Sequence, residues 1–71
     1  MKLNKQEQTV VVGHLINIVI GMEVVKRHIE PRKLDKAVAL HNEINDDMTP
    51  KQTRESLISV LDKAIDEFLK Q

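Results

Sequence analysis

Residues 10–25 read VVVGHLINIVIGMEVV, and this apolar run constrains the fold more than any other feature of the chain. A membrane span needs about 20 mostly apolar residues, whereas this run is shorter and holds His14, Asn17 and Glu23. A secretory signal would have a basic start and a small-residue cleavage site. The start, MKLNKQEQ, carries Glu7 and three amides, and no Ala-x-Ala-like site follows. The expectation is a cytoplasmic protein with no membrane segment.

Val and Ile favour strands, so TVVV followed by LINIVI around Gly13-His14 can be read as two strands. The helical pattern fits better. Val11, Leu15, Ile18, Met22, Val25 and Ile29 recur at steps of four and three without a miss. Asn4 with Glu7 three positions on supplies a capping box. These signals predict one long helix over residues 5–29, with Gly13 or Gly21 as points of disturbance. Each glycine costs on the order of 1 kcal/mol against Ala inside a helix.

Pro31 and Pro50 divide the remainder. Thr49-Pro50-Lys51-Gln52 places Thr at the N-cap, Pro at the first helical position and Gln at the third. Leu57, Ile58, Leu61, Ala64, Ile65, Phe68 and Leu69 then build one apolar stripe, predicting a helix over 50–70. Between the prolines, Leu34, Ala37, Val38, His41, Ile44 and Met48 share one side, flanked by Leu40. This predicts a weaker amphipathic helix over 31–47, ended by Asn45-Asp46-Asp47. With only two Gly and two Pro, a turn-rich all-β fold is excluded. The fold class is all-α: a single domain of three helices.

The first helix is too apolar for a monomer of this size. A 71-residue chain buries only about 60% of its unfolded surface, so its core is marginal. The stripe through Val11, Leu15 and Ile18 is expected to face the core within the chain. Val12, Ile16, Val19 and Ile20 widen the apolar arc to roughly 220°, more than two one-sided helices can cover. Leaving four aliphatic side chains wet forgoes roughly 1.5–3 kcal/mol each. The economical solution is an intertwined homodimeric helical bundle, with Val12, Ile16, Val19 and Ile20 at the interface; a monomer that uses its arc only in part is the alternative. The strip of Gly13, Asn17 and Gly21 is either a close helix crossing or a solvated face.

Little in the sequence carries chemistry. Cysteine is absent, which removes disulfides, thiol catalysis and Cys-based metal sites. Phe68 is the only aromatic, too few to stack bases. His14 and His28 lie about 21 Å apart along one helix, and His41 sits on an apolar side, as core or interface histidines do. Glu43 and Asp46 share a helix face and could hold Mg²⁺ opposite a second acidic pair. That pair is missing, because Lys26 stands three positions after Glu23. No catalytic residue, cofactor or metal is expected.

Net charge is zero but unevenly spread: residues 1–36 hold seven basic and four acidic side chains, residues 37–71 four and seven. Lys26, Arg27, Arg32, Lys33 and Lys36 gather around Pro31 as a basic elbow, beside His28 and interrupted by Glu23, Glu30 and Asp35. A helix-turn-helix reading of Thr49–Leu61 would face phosphates with Asn45-Asp46-Asp47. The sequence points to a non-catalytic protein-interaction module. Small helical proteins of this type are often regulators, inhibitors or assembly factors, including phage or mobile-element accessory proteins, an association and not a mechanism. The alternative is a small nucleic-acid-binding regulator that uses the elbow at 26–36.

Overall fold

The Asn4 side chain accepts from the Glu7 N–H at 2.8 Å, and the Glu7 carboxylate accepts from the Asn4 N–H at 2.9 Å. This reciprocal cap opens α1, Lys5–Ile20. A second box, Thr49 with Gln52, opens the last helix behind Pro50. The computed structural model describes residues 1–71 and is all-helical, with 77% of residues in helix and no strand. After α1 come α2, Glu23–Lys26; α3, Pro31–Asp46; and α4, Pro50–Phe68.

The single helix expected over 5–29 is therefore two. Gly13 leaves α1 undisturbed, but Gly21 ends it, and Met22 takes φ −123° and ψ 85°. The last turn tightens to a three-residue step, Met22 N–H to the Val19 carbonyl at 2.9 Å. The cause is local weakness without tertiary support. Val19, Ile20, Val24 and Val25 lose rotamer freedom in a helix, and glycine costs more. Residues 21–28 are all exposed, so no packing offsets that cost.

α1 is the central element. It packs on α3 along one side and on α4 along another, while α3 and α4 do not pack on each other. α4 runs antiparallel to α1, with Met1 near Glu67 and Glu7 near Ser59 and Lys63. The result is a slab of 34 × 31 × 19 Å. Its radius of gyration is 13.4 Å, against about 11 Å for a compact chain of this length.

The core is correspondingly thin. Val10 is the one buried hydrophobic side chain; Glu7, Thr9, Gly13 and Ser56 complete the buried set. On α3 the half-covered residues are Leu34, Ala37, Val38, His41 and Ile44, with Met48 just beyond, the side that its periodicity picks out. On α1 the expected division of faces is overturned. Of the stripe predicted to be the core, Val11 is half-covered, but Leu15 and Ile18 are exposed, Ile18 at 58%. The helix turns Glu7, Val10 and Gly13 inward instead.

Candidate interaction surface

The joint between α1 and α4 is polar. Glu7 is only 2% exposed, and its carboxylate accepts from Ser59 Oγ at 2.7 Å and from Lys63 Nζ at 2.8 and 2.9 Å. Lys63 also donates to the Lys2 carbonyl at 3.2 Å. The Asn4 backbone N–H, the Lys63 ammonium and the Ser59 hydroxyl all favour the ionised carboxylate. Together they outweigh its burial and hold its pKa at about 2, below the ordinary 4.5. No buried side-chain polar atom in the chain lacks a partner, so this buried charge is fully satisfied. The carboxylate that accepts from Ser59 is a weak base at this depressed pKa, and the cluster ties α1 to α4.

This tie decides which way α4 faces. Ser56 is buried, and Thr53, Ser59, Val60, Lys63 and Ala64 are half-covered. At about 100° per residue these positions form one face of the helix. The opposite face, Ile58, Leu61, Ile65 and Phe68, points outward. Exposure reaches 66% at Ile58 and 72% at Phe68. The stripe that the sequence presents as a core face is thus an outer surface.

The joint between α1 and α3 is a close crossing at Gly13. A methyl group there would collide with the His41 ring, meeting Nε2 inside van der Waals contact, Cδ2 at 2.9 Å and Cε1 at 3.2 Å. Of the two readings of the glycine strip, Gly13 follows the crossing, whereas Asn17 and Gly21 are solvated. His41 Nδ1 lies 3.4 Å from Asn42 Oδ1, too long to hold the ring by itself. The ring is held by its packing on Gly13.

Val12 and Ile16, expected at a dimer interface, are half-covered and line grooves shared with α3; Val19 is half-covered too, and only Ile20 is exposed. Val12, Ala37, Leu40 and Ile44 line an apolar groove of about 210 Å³, smaller than the roughly 300–1,000 Å³ of pockets that enclose small molecules. No group of three or more His, Asp or Glu residues is placed to hold a metal ion. Glu43, Asp46 and Asp47 are exposed at the end of α3. No helix is long and apolar enough to cross a membrane.

The basic elbow is open to solvent. Lys26, Arg27, Arg32, Lys33 and Lys36 are all exposed, and none forms an ion pair within the chain. Lys26 ends α2, Arg27 follows it, and Arg32, Lys33 and Lys36 stand in the first turns of α3, so the cluster sits at a junction between helices, as expected from the sequence. His28 Nδ1 donates to the Val24 carbonyl at 2.8 Å, closing that turn.

Sequence reasoning locates the elbow, because charge clustering is visible in a string. It does not locate the α4 outer face, because periodicity identifies a stripe without saying what covers it. The tie through Ser59 and Lys63 leaves one trace, the Glu7 of the capping box. Compared with known protein families, curated proteins and solved structures, the chain matches none.

Proposed function

We propose that this chain is a non-catalytic protein-interaction module, a small regulator, inhibitor or assembly factor that works in the cytoplasm by occupying a partner's surface. One observation carries the reading: a single hydrophobic side chain is buried while fourteen large ones are exposed. An apolar surface of that extent on a small chain marks an interface. The elbow adds specificity, since five unpaired cations around one turn complement an acidic protein surface and steer its approach.

A photo-crosslinking side chain at Arg32, introduced in cells of the native host, tests this. The expected product is a stoichiometric adduct with one acidic protein, lost when Arg27→Glu and Lys33→Glu reverse the elbow. Indiscriminate labelling, or an adduct indifferent to those reversals, contradicts it. The unpaired cations also support a second reading, a nucleic-acid-binding regulator. Titration with duplex DNA separates the two: phosphate neutralisation gives affinity that falls steeply with salt, whereas an elbow built for a protein gives no duplex affinity worth measuring.

A further inference from the structure

The outward face of α4 has a repeat of its own. Ile58, Leu61, Ile65 and Phe68 stand at steps of three, four and three, with Leu57 and Ala64 flanking one heptad apart. This is the apolar pattern of a helix that packs along its length against others. It has no such neighbour within the chain, since α3 and α4 do not pack on each other and α1 takes the opposite, polar face.

We infer that a second copy of this chain covers the α4 seam, giving a two-fold dimer cored by Ile58, Leu61, Ile65 and Phe68 of both chains. Area is the first argument. The accessible surface is 5893 Å², whereas a compact monomer of 8.2 kDa exposes about 4,500 Å². The excess over the whole chain, about 1,400 Å², leaves room for the roughly 800 Å² per partner of a standard interface, and Ile58, Leu61, Ile65 and Phe68 are among the side chains that make it up.

Shape is the second argument. The seam is a ridge on one helix, and the grooves between α1 and α3 lie away from it. A ridge of this kind is covered by another ridge, as in helix bundles. Stoichiometry is the third. A fold with so thin a core depends on its interface for stability, so the cover must be present whenever the chain is. A second copy meets that condition at any concentration that exceeds the dissociation constant. Two-fold symmetry also lets one self-complementary apolar face serve both sides.

The proposal deepens the interaction-module reading and rests on it: the dimer would present two elbows to the partner. Leu61 lies near the middle of the stripe between Leu57 and Phe68, so a two-fold axis crossing the seam brings it close to its own mate. The chain has no native cysteine, so single substitutions report directly. Under mild oxidation, Leu61→Cys should become a covalent dimer, while Leu40→Cys, exposed on α3, should stay monomeric. Ile58→Glu with Phe68→Glu should halve the mass found by light scattering, and Leu40→Glu should leave it unchanged.

Failure of Leu61→Cys to crosslink, or equal crosslinking at Leu40→Cys, overturns the seam. So does a wild-type mass of one chain at tens of micromolar. If the double Glu variant does not fold, the near-isosteric cysteine pair still decides. Host crosslinking at Arg32 reads out separately, so an intact seam with no acidic partner sinks the broader reading alone.

Discussion

Two glycines of α1 occupy opposite situations, and alanine should separate them. At Gly13 the His41 ring fills the space that a Cβ would need. Overpacking of this kind costs about 1–3 kcal/mol, against the roughly 1 kcal/mol that alanine contributes in a helix. Urea melts of Gly13→Ala should show net destabilisation, and adding His41→Ala should recover part of it. At Gly21 the nearest atom outside its neighbours is the Ile18 carbonyl oxygen at 3.8 Å, with φ −83°. Gly21→Ala should stabilise the chain by about 0.4–1 kcal/mol. A Gly21→Ala variant no more stable than wild type would show that the break is held by more than glycine.

Glu7 gives the pH dependence. Its folded pKa, about 2, lies below the ordinary 4.5. A carboxylate with a depressed folded pKa stabilises the fold fully above its unfolded value. That contribution is lost as pH falls from 4.5 through about 2. Thermal midpoints across that window should drop in the wild type and drop less in Glu7→Gln, which starts lower because Lys63 loses its anion. Parallel curves for the two proteins would mean that the tie contributes no linkage.

At the scale of elements, the legible part was what each helix encodes locally. Both capping boxes, Pro50 at the first helical position and the covered side of α3 follow from residue type and spacing. The extent of the first helix did not. The 4-3-4 pattern runs through Gly21 without interruption, yet a pattern stabilises a helix only where something packs on it, and nothing packs on Met22, Val24 or Val25. The facing of α1 and α4 was hidden for a different reason. α1 is apolar around most of its circumference, so no stripe selects its inner side. α4 is oriented by Ser59 and Lys63, side chains that in a string look like part of a solvated face. Gly21→Ala also tests the element: merging α1 with α2 should raise helicity measured by circular dichroism above the wild-type value. The elbow between α2 and α3 should matter little to the fold, because its side chains are exposed and unpaired. Arg27→Glu with Arg32→Glu should change unfolding free energy by less than about 0.5 kcal/mol. A large loss would reveal an internal partner for these cations.

At the scale of the molecule, the slab holds together by a polar tie on one flank and a glycine crossing on the other, with the apolar face of α4 outside. Hydrophobic burial is the main favourable term in folding, and here it is mostly unrealised within one chain. Stability should therefore depend on protein concentration, with the thermal midpoint rising as the chain is concentrated. Sedimentation equilibrium of the wild type reads that dependence without altering the chain. The expected mass is about twice 8.2 kDa at tens of micromolar, with dissociation and loss of helicity together on dilution. A folded, fully helical species of 8.2 kDa at every concentration would contradict it.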